Sequence, residues 1–417
     1  MTTTKVAEQE SVAQAPPLST YVSAYFRRVR GGEMGALPAI LGLIVLCTVF
    51  SILRPAFFSA GNFANLLPQG AAVTVIAMGL VFVLLLGEID LSAGFTSGVC
   101  AAILAITLMD YDFPWYLAIL AALVTGTVIG VVLGTLVAKV GIPSFVVTLA
   151  AFLAFQGIVL LLIKGGTIVP IRDATVLAIG NKNLTPLLGW VLYAIGVGGY
   201  ALLQILRMRG RRQRGLPAEP VSLIAIRVGA LAVLAGIAVY VLNQERSRNT
   251  LIVSLKGVPI VVPIVLSLLI VLTFVLRRTR YGLHIYAVGG NREAARRAGI
   301  ATDRIRISVF VICSTMAAVG GIIAASRANS VDPNTGGSNV LLYAVGAAVI
   351  GGTSLFGGKG RVLDAVLGGA VVAVIDNGMG LMGLSSGVKY IVTGSVLLLA
   401  AGVDALSRRR AAVSGLR

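Results

Sequence analysis

Long apolar runs separated by short polar or glycine-rich joints recur from Leu37 to Ala405. Each run approaches the roughly 20 residues that a helix needs to cross a hydrocarbon core of about 30 Å. Twelve are candidate spans: Leu37 to Leu53, Ala71 to Leu86, Leu91 to Met109, Trp115 to Ala138, Pro143 to Ile163, Pro186 to Leu206, Val221 to Leu242, Val258 to Leu276, Ile307 to Ser326, Val340 to Leu355, Val362 to Leu381, and Ile391 to Ala405. The pattern predicts an all-α polytopic membrane protein of about 10–12 transmembrane helices, with the shorter runs as broken or re-entrant segments.

Composition agrees. Of 417 residues, 57% are hydrophobic and only 12% charged, with a mean hydropathy of +0.95, which excludes an ordinary soluble domain. Fifty glycines suit helices that approach closely in a bilayer. In a soluble protein a net charge of +18 would suggest nucleic acid. Here the arginines cluster in the joints between runs, as positive-inside loops do, so no nucleic-acid partner is implied. The largest basic joints are "RMRGRRQRG", Arg207 to Gly215, and the loop from Arg277 to Arg306. Both come out cytoplasmic if the spans alternate from a cytoplasmic N-terminal tail, and then both termini are cytoplasmic. Residues 1–36 are polar, with no early apolar stretch or cleavage site, and read as a disordered cytoplasmic tail without a removed signal peptide. Residues 37–406 form the membrane domain and 407–417 a basic cytoplasmic tail. Cys47, Cys100 and Cys313 all fall inside apolar runs, and the chain has one histidine, His284, so these thiols read as small core residues rather than metal ligands.

Two acids interrupt the apolar pattern in "VFVLLLGEIDLSAG". On a continuous helix Glu88 and Asp90 would stand about 200° apart, and one would face lipid at about 2.5–3.5 kcal/mol. A helix break at Gly87 to Asp90 removes that conflict. Asp90 then suits the N-cap of the next helix, accepting backbone N–H bonds near Ser92 and Ala93. Glu88 has no evident capping duty and is a candidate for a gate or for the lining of a path. Other polar groups at span edges extend the theme: Asn62, Asn65 and Gln69 in "GNFANLLPQ", Gln156 beside Phe152 and Phe155 in "FLAFQG", and Asp376 and Asn377 in "VIDNG". They suit a path for a hydroxylated solute, although interhelical hydrogen bonding is the more frequent use of a lone membrane amide.

The sharpest motif is "RYGLHIYAVGGNREAARRAGI", Arg280 to Ile300. It is expected to open on a Tyr-Gly turn and pass through Gly289 and Gly290. A short helix from Asn291 to Ala298 then follows, stopped by Gly299. Asn291 can cap this helix, with Glu293 in its first turn and Arg296 and Arg297 at its end, the charge order that a helix dipole favours. A capped, charged two-turn helix on the cytoplasmic face has the character of a docking element.

This stretch resembles the EAA-type coupling loop of permease subunits of ATP-binding-cassette importers, and "GGNREAARRAGI" is similar to the version in monosaccharide permeases of the ribose and xylose type. "NFANLLPQGAAVTVIAMGLVFVLLLGEIDLSAG", Ile142 to Phe145 with "VVTLAAFLAFQG", "VIGGTSLFGGKG" and "VIDNGMGLMG" resemble the family's other landmarks in the same order. The insertion between Thr185 and Val258, with two extra spans, is most similar to the D-xylose permease subgroup. The resemblance implies that Glu293, Ala294 and Ala295 sit in a cleft of a separate ATPase subunit, which alone binds ATP and magnesium. It also implies a homodimer and an extracytoplasmic sugar-binding protein.

No ATP site of its own is expected. "GTSLFGGKG" fails the phosphate-loop pattern twice, with Thr353 where glycine and Gly360 where serine or threonine is needed. Nor does any nucleophile–base set suggest an enzyme. The expectation is a translocation subunit in a bacterial cytoplasmic membrane, moving a monosaccharide, a pentose such as D-xylose. The alternatives are another solute, such as a ribose-like sugar or a branched-chain amino acid, and an unassisted secondary transporter.

Overall fold

The computed structural model describes residues 35–163, 167–216, 219–247 and 254–413. The expected N-terminal tail lies almost wholly outside them. Among the described residues the regular structure is helical, apart from one two-residue antiparallel pairing of β1 (Val169–Pro170) with β2 (Ser330–Val331) and an isolated bridge between Asn183 and Pro259. The helices are α1 (Leu37–Leu53), α2 (Ala60–Leu85), α3 (Ala93–Met109), α4 (Trp115–Thr135, continued by a π-helical turn Leu136–Val140), α5 (Ser144–Leu162) and α6 (Ala174–Asn181). They continue as α7 (Pro186–Gln213), α8 (Val221–Leu242), α9 (Val261–Arg278), α10 (Arg280–Gly290), α11 (Arg292–Arg297), α12 (Thr302–Ala328), α13 (Ser338–Ile350), α14 (Val362–Leu381) and α15 (Ser386–Val413).

All twelve apolar runs are helical. Among the described residues eight helices are long and apolar enough to cross a bilayer: α2, α4 with its π turn, α5, α7, α8, α9, α12 and α14. Four apolar helices are shorter, in α1, α3, α13 and α15. Several boundaries differ from the hydropathy pattern. α2 starts at Ala60 instead of Ala71 because Ser59 caps it, accepting from the Asn62 N–H at 3.2 Å. Asn62, Asn65, Pro68 and Gln69 therefore lie on the helix. α12 starts at Thr302, so Arg306 belongs to a helix and not to the preceding loop. α15 continues to Val413, so part of the expected basic tail is helical.

The bundle is built on α12, which packs on α2, α3 and α4. Small residues set that approach. On α4, Gly126, Gly130 and Gly134 recur at one helical face, and a Cβ at each would come within 2.5–2.8 Å of α12 backbone or side-chain atoms. A Cβ at Gly70 on α2 would meet Ala373 of α14 at 2.7 Å, and one at Gly369 of α14 would meet Thr74 of α2 at 2.2 Å. The starts of α7 and α9 and the end of α8 share one end of the bundle, here the distal end, where Leu184 N–H donates to Val258 O at 2.7 Å and Gly257 N–H to Leu242 O at 3.0 Å. α10 and α11 lie at the other, proximal end.

Two elements are broken inside the bundle. The chain leaves α2 at Leu86 and re-enters helix only at Ala93. α13 has 13 residues, about 20 Å at 1.5 Å per residue, too short to cross. The segment leading into α13 reaches the buried start of α3: a Cβ at Gly98 would stand 2.1 Å from Thr335 O, and one at Gly94 would stand 2.8 Å from Gly336 O. Glycine alone fits so close a crossing.

Candidate coupling and translocation site

The proximal site is built on the end of α2. A left-handed glycine, Gly87 at φ +72°, turns the chain, leaving the last carbonyls of α2 without helical partners. Leu85 O is taken by the Gly358 N–H at 2.9 Å. Gly289 of α10 rests on the same carbonyl, so closely that a Cβ there would lie 1.8 Å from Leu85 O. The Tyr286 hydroxyl donates to Gly360 O at 2.7 Å. The end of α2, the face of α10 and the 357–360 turn thus form one packed node. The glycines of "LFGGKG", a failed phosphate loop in sequence terms, serve it: Gly357 and Gly358 both have positive φ.

Glu88 follows at once. Its carboxylate accepts from Arg306 Nε at 2.8 Å and Nη2 at 2.6 Å, and the side chains are only 17% and 7% exposed. Burial of both charges makes the pair costly to break. Glu88 caps no helix; its partner is across the bundle, and the pair ties the break to the first turns of α12. Ile89 N–H donates to Ser144 Oγ at 3.3 Å, and Thr148 Oγ1 donates to Ile89 O at 3.2 Å, so α5 is tied in as well.

Asp90 is fully buried. Oδ1 accepts from the Ser92 N–H at 2.9 Å and the Ser92 hydroxyl at 2.6 Å. The expected N-cap is corrected by two positions. Ser92 occupies it, without a side-chain cap bond of its own, while Asp90 closes the preceding turn. Asp90 also lies against Cys313, seven residues along α12 from Arg306, or about 10 Å. The extended Glu88–Asp90 stretch therefore climbs from the proximal end into the interior, which shelters both acids without a helix face turned to lipid.

The docking segment departs from expectation at its start. The expected Tyr-Gly turn is the first turn of α10, capped by Thr279 Oγ1, which accepts from Gly282 N–H at 3.2 Å. Gly282 is required there by packing, since its Cβ would stand 2.1 Å from Leu276 O. The second helix is as expected. Asn291 Oδ1 accepts from Ala294 N–H at 2.9 Å, and Glu293 pairs with Arg296 at 3.1 Å and Arg297 at 3.2 Å. Gly299 ends it at φ +82°. Ala295 is buried beneath while Glu293 and Ala294 are exposed, so α11 presents a small polar crest on a fixed base. Gly290, beside the tightly packed Gly289, has open space where a Cβ would be.

At the distal end the structure joins four of the predicted polar residues in one network. Asn62 Nδ2 donates to Asn377 Oδ1 at 2.9 Å, Asn377 Nδ2 to Gln69 Oε1 at 3.0 Å, and Gln69 Nε2 to Asp376 Oδ2 at 2.7 Å. Lys389 of α15 adds an ion pair to Asp376 at 3.4 Å. Asn65 lies apart from it, accepting from Arg327 at 3.4 Å. Phe152, Phe155 and Gln156 do not join: Phe152 packs edge-on against Phe95 of α3 at 4.8 Å between ring centroids, Phe155 is half-buried, and Gln156 is exposed on α5.

Sequence reasoning missed Arg306, Lys389 and Arg327. For Arg306 there was a usable signal, a lone arginine directly before an apolar run, with an unassigned acid elsewhere. Nothing local marks the seat of Gly289 on Leu85, which is more than two hundred positions away in sequence.

The profile of the family described as "branched-chain amino acid transport system / permease component" matches residues 62–401. The xylose transport system permease protein XylH of Escherichia coli is 39% identical over 357 residues, covering 85% of this chain and 87% of the relative. XylH of Haemophilus influenzae is 35% identical over 372 residues, covering 89% and 96%. The ribose import permease protein RbsC of Escherichia coli is 30% identical over 366 residues, covering 88% and 92%. No solved structure matches the chain. On the matched length and these identities, this multi-pass membrane protein belongs to the branched-chain amino acid transport system / permease component family, whose members are transport subunits and not enzymes.

Proposed function

We propose that the chain is the translocation subunit of an ATP-driven importer of a monosaccharide, a pentose such as D-xylose. It works as a homodimer in a bacterial cytoplasmic membrane, with the proximal end and both termini in the cytoplasm. A separate ATPase subunit, which carries ATP and magnesium, receives α11 through Glu293 and Ala294, while Ala295, expected in the same cleft, is packed into the permease beneath them. A sugar-binding protein delivers solute to the distal end, where Asn62, Gln69, Asp376 and Asn377 line or close the mouth. The observation that carries this reading is the seat of α10 on the end of α2. Motion imposed on α11 passes through Gly289 to Leu85 and through the Glu88–Arg306 pair to α12, without a flexible linker between.

In proteoliposomes holding the permease, its ATPase and loaded binding protein, Glu293→Arg is expected to leave the permease inserted and to abolish stimulated ATP hydrolysis. Full stimulation in that variant would sink the coupling role, and sugar uptake without the ATPase would make the chain a secondary transporter. The family's description favours one other reading, a branched-chain amino acid as cargo. Competition of labelled xylose uptake by leucine would support it.

A further inference from the structure

The α7–α8 hairpin stands apart from the machinery above. Its packing against the bundle lies in its distal half, where Val239 and Leu242 cluster with Ala64, Phe63 and Leu67 of α2 and with Val258 just ahead of α9. Further along, a Cβ at Gly196, Gly198, Gly199, Gly210 or Gly229 would find nothing within 4 Å. Exposed apolar side chains surround both helices, among them Ile195, Leu202, Leu206, Val233 and Leu234. The hairpin is therefore fixed at one end and bathed in lipid along its length.

Its free end carries five arginines. From Pro186 to Leu206 the helix rises about 32 Å at 1.5 Å per residue, close to the roughly 30 Å of a hydrocarbon core. Arg207 thus emerges at the headgroup layer, and Arg209, Arg211, Arg212 and Arg214 follow within it, all of them exposed. Among the described residues none of the five makes an ion pair. The nearby acid, Glu219, is taken by Arg227 at 2.8 Å. At about 100° per residue, Arg207, Arg211 and Arg214 share one side of the helix, and Arg209 and Arg212 take the opposite side. A protein partner docking on one face would leave the other charges unused, whereas phosphates arranged around an emerging helix would meet them all.

We infer that the proximal end of α7 is a binding site for anionic phospholipid headgroups, held by Arg207, Arg209, Arg211, Arg212 and Arg214. Guanidinium groups engage phosphate oxygens two at a time and give up water readily. A cluster of this size just beyond a span is favoured at an anionic membrane surface. The lipid fixes the end of the hairpin that the protein leaves free.

The test uses the full-length permease in vesicles, with Cys47, Cys100 and Cys313 replaced and a fluorophore on Gly210→Cys, a position with room for it. Quenching by brominated phosphatidylglycerol is compared with quenching by brominated phosphatidylcholine. The expected result is about a threefold preference for the glycerol lipid, lost when all five arginines become glutamine and weakened in the unsubstituted-arginine protein as salt rises. Equal quenching by the two lipids, or a preference that survives the five substitutions, would overturn the site. Loss of the preference on adding inorganic phosphate at millimolar level would assign the arginines to a soluble phosphate and also overturn it. Because the salt titration needs no substitution at an arginine, a poorly inserted variant does not remove the test.

Discussion

Glu88 and Arg306, more than two hundred positions apart, form an ion pair at 2.6 Å with both side chains largely withdrawn from solvent. The pair closes a loop of contacts at the proximal end: α12 holds the break after α2, the break holds α5 through Ser144 and Thr148, and α10 sits on the last carbonyls of α2.

Removing one partner strands the other charge. Glu88→Gln and Arg306→Gln are each expected to lower thermal stability in detergent by about 3–5 kcal/mol and to depress uptake per inserted molecule. The double variant Glu88→Leu/Arg306→Met should recover much of the stability, because two apolar groups leave no unpaired charge. Uptake that recovers in step with stability would reduce the pair to a structural tie. Uptake that stays low would show that the charges carry the coupling.

Adjacent glycines should behave as opposites. Gly289→Ala places a methyl against Leu85 O, while Gly290→Ala meets open space. The first is expected to abolish ATPase stimulation or reduce the inserted protein severalfold, and the second to match wild type in both. Similar behaviour of the two would show that α10 is not seated tightly on α2.

The distal network separates a buried member from a partly exposed one. Asn377 is 5% exposed and links Asn62 to Gln69, so Asn377→Ala removes one acceptor of Asn62 Nδ2, which keeps Phe57 O, and the donor to Gln69 Oε1, and is expected to cost about 1–3 kcal/mol. Asp376→Asn keeps an acceptor for Gln69 and weakens mainly the long, partly exposed pair with Lys389, a loss of about 0–1 kcal/mol. Thermal unfolding of the two variants checks the order. A larger loss in Asp376→Asn would overturn it.

One loop carries a pH dependence. Glu245 accepts from the backbone N–H groups of Leu255 and Ser247 and from the Ser254 hydroxyl, which hold its pKa down at about 2 against an ordinary 4.5. A depressed folded-state pKa gives order that is complete above the ordinary value and lost as pH falls toward the lower one. Protease cleavage after Arg246 or Lys256, the described basic residues that flank these contacts, is expected to be slow at pH 7 and to speed up only below about pH 4.5. Glu245→Gln should be cut quickly at pH 7. Equal rates for the two proteins at pH 7 would refute the carboxylate's role.

Much of the architecture was legible because lipid imposes a one-dimensional rule. A helix that satisfies its own backbone and faces hydrocarbon must be apolar for about 20 residues. Every such run is therefore visible, and α11 was visible too because its cap, charges and stop all lie within ten residues. The same rule misplaced the start of α2. Asn62, Asn65 and Gln69 are too polar for lipid, yet they are helical because α14 and α12 offer them partners.

By itself, then, the amino-acid sequence determined the helical class, the run-and-joint pattern, the break demanded by two acids on opposite helix faces, and the capped docking helix. All are local, set by periodicity, capping and the cost of a charge in hydrocarbon. The tertiary structure alone decided that Glu88 would meet Arg306, that Gly289 would lie on Leu85, and that Gln69 would face Asp376 while Gln156 stayed apart. Those pairings join segments distant in sequence, and what selects them is the fit of glycine-lined helix faces, where the absence of a side chain at Gly130 or Gly98 lets two backbones touch and brings their neighbours into register.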